Sequence, residues 1–170
     1  DFLCFGRPEA SVVVVDATSL ERNLPLVLEV LEIIPKAVVS LNLIDEAERK
    51  GIEVDTAALS SLLGVPVVRT AARHGVGLGE LREVLDRLLE GTCVPKPVPL
   101  EYPAPIEEAL AALGQKLAPF LGSRLAARWA ALCLLEGEQA ILENRTVLAL
   151  LYERGEENGH GAEGLFGRDP

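Results

Sequence analysis

The sequence predicts an α/β unit built on a parallel sheet, followed by a smaller all-helical region. Three observations carry this. Short β-branched runs alternate with segments of helical periodicity over residues 11–90; a proline-rich stretch follows; and the composition then turns to Ala and Leu. The chain has 170 residues, 49% of them hydrophobic, enough for one such domain with a helical extension.

The first run, SVVVVD (11–16), is continuous in β-branched residues and reads as a strand buried on both faces. A helical stripe follows at Leu20, Leu24, Val27, Leu28 and Leu31. Pro25 is compatible with this helix only near its start, so its first turn is expected to be irregular or to begin later, and Pro35 closes it. The second strand spans 36–41 and opens the stretch VVSLNLID (38–45), which ends in the polar pair Asn42 and Asp45. From Asp45 the chain is polar and helical by propensity as far as Gly51. Asp55 offers an N-cap to a helix over 57–63 whose Leu59, Leu62 and Leu63 are expected to face inward, with Gly64 as its stop. A third strand, 66–70, leads through a loop holding Gly75, Gly77 and Gly79 into a helix over 80–90. Leu81, Val84, Leu85, Leu88 and Leu89 form the apolar face of that helix.

The resulting β-α-β-α-β-α order implies right-handed crossovers, and ligands of such sheets bind beyond the carboxyl ends of the strands. Asp16, Asn42, Asp45 and residues 70–73 all fall there. The predicted division is 1–90 for the α/β unit, 91–105 for a proline-rich linker, 106–152 for the helical domain and 153–170 for a flexible tail. In the helical region the stripes run through Ile106, Ala109, Leu110 and Leu113, then Leu125, Trp129, Leu132 and Cys133, with a third helix over 138–151.

Composition excludes several classes. A formal net charge of -10 argues against a nucleic-acid groove, which needs clustered Lys and Arg. The three cysteines, Cys4, Cys93 and Cys133, show no zinc or disulfide spacing, and no His/Cys/Asp/Glu set suggests a metal site. No apolar run reaches the length of a membrane span and none reads as a signal peptide, so the chain is expected to be soluble. It begins abruptly and contains no Met, as expected of a piece of a longer protein. His74 reads as a solvated loop residue and Asp16 as a structural cap; no residue stands out as catalytic.

An Asn-x-x-Asp at a strand end has a specific possible use. A carboxylate there can accept both the ring N–H and the exocyclic amine of guanine, a donor pair adenine does not offer, while the Asn amide donates to N7. Backbone N–H groups of the loop Thr70-Ala71-Ala72-Arg73 could meet O6. The same spacing also suits an ordinary helix N-cap at Asp45, and residues alone leave both readings open.

Five segments, VVVVDATSLERNL (12–24), LNLIDEAERKGI (41–52), LLGVPVVRTAARHGVGL (62–78), YPAPIEEAL (102–110) and RWAALCLLEG (128–137), resemble the ferrous iron transport protein B family over most of residues 1–137. The resemblance implies the C-terminal half of a P-loop-type G domain followed by a helical domain. It places Asn42, Leu43 and Asp45 in the guanine-specificity motif, and Thr70, Ala71, Ala72 and Arg73 in the guanine loop. Ala71 stands where that loop commonly has Ser, which removes a bracing hydroxyl. The implied cofactor is GTP or GDP, with phosphate and Mg²⁺ ligands in an upstream half. The sequence has no GxxxxGK[ST], so no GTP hydrolysis is expected of this chain by itself.

The implied setting is the cytoplasmic face of a bacterial or archaeal membrane. The partners there are the rest of the G domain and a transmembrane Fe²⁺ permease domain, and not nucleic acid. The first strand, lacking a covering sheet, is expected to promote self-association. Two other classes fit the pattern less closely: a different TRAFAC-type G protein, such as a ribosome-assembly GTPase, and a non-enzymatic adaptor with a degenerate nucleotide fold. A basic RNA-binding surface would mark the first, and failure to bind guanine nucleotide the second.

Overall fold

A computed structural model of the chain describes residues 8–121 and 126–136. Cys4, Leu125, His160, the third helical segment over 138–151 and the tail lie outside the described residues. The described residues divide into two compact units, one over 8–100 and one holding those from 101 onward.

The first unit runs β1 (Ser11–Asp16), α1 (Leu20–Ile33), β2 (Ala37–Asn42), α2 (Ile44–Arg49), α3 (Thr56–Leu63), β3 (Val67–Arg69) and α4 (Leu78–Glu90). The three strands form one parallel sheet in the order β1-β2-β3. Register pairs Val14 with Ser40 and Asp16 with Asn42 across β1 and β2, and Ser40 with Val68 across β2 and β3. Paired residues in a parallel sheet share a face, so Val12, Val14, Val38, Ser40, Asn42 and Val68 lie on one side. There α4 packs Val84 and Leu88 onto Val38 and Val68, with Leu81, Leu85 and Cys93 at the margin.

Several expectations shift. β1 is buried on one face only: Val13 and Val15 are inside, while Val12 and Val14 are 39% and 60% exposed. The physical reason is that α4 covers β2 and β3 but does not reach β1 on that side. β2 starts at Ala37 rather than residue 36 and extends to Asn42. α1 begins at Leu20 and runs straight through Pro25, because a short 3-10 turn over Ala17–Ser19, capped by Asp16, sets up its first turn. Pro25 and Glu21 are both exposed, so solvent serves the carbonyl that a proline cannot bond.

Asp55 caps α3 as expected, accepting from the Ala58 N–H at 2.9 Å. Leu59 and Leu63 are buried, but Leu62 is 72% exposed. It lies about 100° around the helix from Leu63, off the inward stripe. Leu89 of α4 is likewise outside its stripe. The start of the proline-rich stretch docks on this unit: the Lys96 N–H bonds the Gly64 carbonyl and the Val98 N–H the Leu63 carbonyl, at 2.9 and 3.1 Å.

In the second unit α5 (Ala104–Leu121) packs against α6 (Ala127–Glu136). Leu110, Leu117, Leu121, Ala130, Ala131 and Cys133 are buried, whereas Ile106 is 39% exposed. Glu107 and Arg128 tie the two helices with paired bonds of 2.7 and 2.8 Å, and Glu107 also accepts the Tyr102 N–H at 3.0 Å. Donation from the Arg128 side chain, then from the Tyr102 backbone, lowers the Glu107 pKa to about 2. The Arg128 guanidinium lies 5.8 Å from the Tyr102 ring centre.

Among the described residues no helix is long and apolar enough to cross a membrane, and no group of three or more His, Cys, Asp or Glu side chains could hold a metal ion.

Candidate functional site

The carboxyl ends of β2 and β3 bring two short segments together. After Asn42 the chain reverses through Leu43, whose φ of 61° and ψ of 34° put it in the left-handed region, unusual for a bulky side chain. No other non-glycine residue among those described has a positive φ. The Leu43 carbonyl accepts the Glu46 and Ala47 N–H groups, both at 3.0 Å, which starts α2 abruptly and sets Asp45 on its first turn. Strain of this kind, about 1–3 kcal/mol, concentrates at functional sites.

The facing segment leaves β3 at Thr70, whose N–H bonds the Leu41 carbonyl at 2.8 Å and whose carbonyl accepts the Ile44 N–H at 3.2 Å. It then forms a 3-10 turn, Ala72–His74, closed by an isolated bridge between Ala71 and Val76. Gly77 ends the loop with φ of 76°. A Cβ there would run into the Arg69 carbonyl oxygen.

Between these segments lies an open cleft of about 330 Å³ lined by Leu43, Asp45, Glu46, Arg49, Ala71, Ala72, Arg73 and His74. Asp45 opens into it with its side chain one-third exposed. Its Oδ2 lies 3.4 Å from His74 Nε2 and 4.0 Å from the Arg49 guanidinium. The N-cap position of α2 is Leu43, which has no capping side chain, and Asp45 lies two residues further on, in the first turn. Asp16, at the matching end of β1, behaves oppositely and closes on its own backbone by accepting the Thr18 N–H at 2.7 Å.

Asn42 is fixed by its carbonyl oxygen. Oδ1 accepts the Ala72 N–H at 3.0 Å and a longer bond from the Thr70 hydroxyl at 3.3 Å, so the Nδ2 donors point away from both. Thr70 is fully buried, which makes it a support for the cleft and not part of its lining. Of the seven residues singled out from sequence, five line the cleft; Asn42, half-buried, adjoins its wall through the Ala72 N–H, and Thr70 is buried behind it. Glu46, Arg49 and His74 join the lining without having been singled out. The helical spacing of Glu46 and Arg49 after Asp45 could have suggested those two, whereas His74 arrives through the turn of the loop.

A three-stranded parallel sheet with helical crossovers and an open cleft at the carboxyl ends of its strands defines an α/β unit of the G-domain class. Comparison with known proteins narrows the class. The family model described as ferrous iron transport protein B matches residues 1–85, and the FeoB cytosolic helical domain model matches residues 102–168. The chain belongs to the ferrous iron transport protein B family and corresponds to its cytosolic region.

Among relatives, the Fe(2+) transport protein A/Fe(2+) transporter FeoB fusion protein of Porphyromonas gingivalis is 41% identical over 136 residues, covering 78% of this chain and 16% of the relative. The Fe(2+) transporter FeoB of Salmonella typhimurium is 40% identical over 86 residues, 51% of this chain and 11% of that protein. The chain therefore spans under a fifth of the length of either.

Among solved structures, the cytosolic domain of L. pneumophila FeoB aligns with a TM-score of 0.75 at 29% identity, covering 91% of this chain and 61% of that one. The apo cytosolic domain of the T. maritima FeoB iron transporter aligns at 0.71 and 29% identity, covering 88% and 57%. An S. thermophilus NFeoB mutant bound to GDP aligns at 0.73 and 27% identity, covering 96% and 65%.

Proposed function

We propose that the cleft between residues 43–49 and 71–74 recognises the guanine ring of GTP and GDP, as part of a nucleotide cycle coupled to ferrous iron uptake. The observation that carries this reading is the state of Asp45. It stands in the first turn of α2, past the Leu43 N-cap, and opens to a cleft beside the oriented Asn42 amide, with His74 and Arg49 as its only close charged neighbours among the described residues.

In this arrangement the two Asp45 oxygens accept the guanine ring N–H and exocyclic amine, and Asn42 Nδ2 donates to N7. O6 lies against the Ala72–Arg73 backbone, where the Ala72 N–H, already bonded to Asn42 Oδ1, can be shared in a three-centre bond. Leu43 and the Arg73 side chain flank the ring. The donor and acceptor set fits a guanine and mismatches an adenine, which has an acceptor where guanine has the ring N–H. Each unmet bond to the carboxylate costs on the order of 1–3 kcal/mol.

Phosphate and Mg²⁺ ligands are assigned to residues outside this chain, whose sequence has no phosphate-cradling GxxxxGK[ST] motif. The nucleotide-bound S. thermophilus relative and the Fe(2+) transporter relatives support the reading. The open edge of β1 is proposed to pair with the remainder of the G domain, and to drive self-association when that remainder is absent.

The test is competition binding in the full-length protein with GDP and ADP. Guanine preference of about 100-fold or more is expected. Equal affinities would remove the assignment. The 170-residue chain alone should show no GTP turnover above buffer.

A further inference from the structure

Ser40 has no reason of packing to be where it is. It occupies the centre of β2, 4% exposed, between Val14 and Val68 on the face that α4 covers. A hydroxyl in such a position costs stability unless it is bonded. Its partner is the fully buried Thr70 hydroxyl at 2.8 Å. Thr70 in turn bonds Asn42 Oδ1, and Asn42 stands two residues after Ser40 on the same face of the strand.

The Ser40–Thr70 contact by itself fits either direction. Amide Oδ1 can only accept, so with the Thr70 proton given to Asn42, Thr70 accepts from Ser40. We propose that Ser40 is a positioning residue for base recognition. Its hydroxyl spends its proton on Thr70, directs the Thr70 proton onto Asn42 Oδ1, and so holds the Asn42 amide with its Nδ2 donors turned toward a purine N7. This rests on the guanine reading above.

The Thr70–Asn42 bond is long at 3.3 Å, while the Ala72 N–H holds the same oxygen at 3.0 Å. Ser40 therefore strengthens an existing restraint and is not its sole source. Donation into Thr70 polarises its O–H and shifts the amide further toward one orientation. The effect should be modest and confined to the atom that Asn42 reads.

The experiment measures GDP and 7-deaza-GDP affinity in the full-length protein, the second ligand differing by the loss of the N7 acceptor. Ser40→Ala is expected to weaken GDP roughly three-fold and Thr70→Val roughly five-fold, with Thr70→Ser close to wild type. Affinity for 7-deaza-GDP should be unchanged by all three, because it offers Asn42 nothing to bond. Equal weakening of both ligands would mean that the hydroxyls serve the fold only, and would overturn the proposal; so would unchanged GDP binding in Ser40→Ala. That variant, a small change in the sheet, keeps the test standing if Thr70→Val fails to fold. A wild type that binds GDP and ADP equally would instead remove the guanine reading, and this inference with it.

Discussion

β1 and β2 lie side by side, both apolar runs that end in a polar residue, SVVVVD and AVVSLN, and meet different fates. β2 has a strand on each side, and all of its residues up to Leu41 are buried. Among the described residues β1 has one neighbouring strand and one covered face, so that Val12 and Val14 face outward. Their ends differ in the same sense. Asp16 turns back to cap Thr18, whereas beyond β2 the chain passes through a left-handed Leu43 and leaves Asp45 open to the cleft. A run of β-branched residues therefore specifies a strand but not its surroundings. A carboxylate after a strand is left open to a cleft where the following turn does not bring its own backbone N–H within reach.

The largest expected effect tests the loop that faces Asp45. Gly77→Ala puts a Cβ against the Arg69 carbonyl at a positive φ, and should cost about 2–4 kcal/mol of unit stability in a denaturant titration. A change under about 0.5 kcal/mol would show that the loop adapts and that its geometry is not fixed by Gly77.

The contrast between the two carboxylates is sharper still in comparison. Asp16→Ala should destabilise by about 1 kcal/mol through loss of its cap, while Asp45→Ala should leave stability within about 0.5 kcal/mol. The reverse pattern in matched chemical melts would make Asp45 the structural cap and break the comparison.

In the helical unit, Glu107→Gln should lower the melting temperature by a few degrees at neutral pH. The Glu107 pKa falls from 4.5 in the unfolded chain to about 2 in the fold. Its contribution is therefore complete above about pH 4.5 and fades as pH drops toward 2. Circular-dichroism melts of the two proteins should converge over that window. A constant offset down to pH 2 would point to packing as the cause.

The smallest effect on stability is expected at β1. Val14→Lys, at a position 60% exposed, should change stability little but reduce self-association of the 170-residue chain in light scattering. Undiminished association would place the contact elsewhere.

Much of the fold was legible because its signals are local. The glycine stop at Gly64, the Asp55 cap and the inward stripe of α4 follow from neighbours within a turn or two. What sequence reading missed depended on distant partners. The outward face of β1 is decided by where α4 ends up, some seventy residues on in the chain. Leu62 was assigned inward because an eight-residue helix gives too few turns to fix the stripe's centre. The Asn42/Asp45 spacing and the 70–73 loop were visible as motifs, but the division of labour among them was not. Thr70 proves to be a buried support and His74 a neighbour of Asp45, and Ser40, one polar residue in an apolar run, carries no local signal of its bond to Thr70.

The central claim is that Asp45 names the base. Its direct test is Asp45→Asn in the full-length protein, with GDP and XDP compared by competition binding. Xanthine carries a carbonyl where guanine has its exocyclic amine, so an amide at position 45 can donate to it where a carboxylate cannot. The account predicts GDP affinity lower by about 100-fold or more, with XDP now preferred. GDP binding retained at the wild-type level in Asp45→Asn would contradict it.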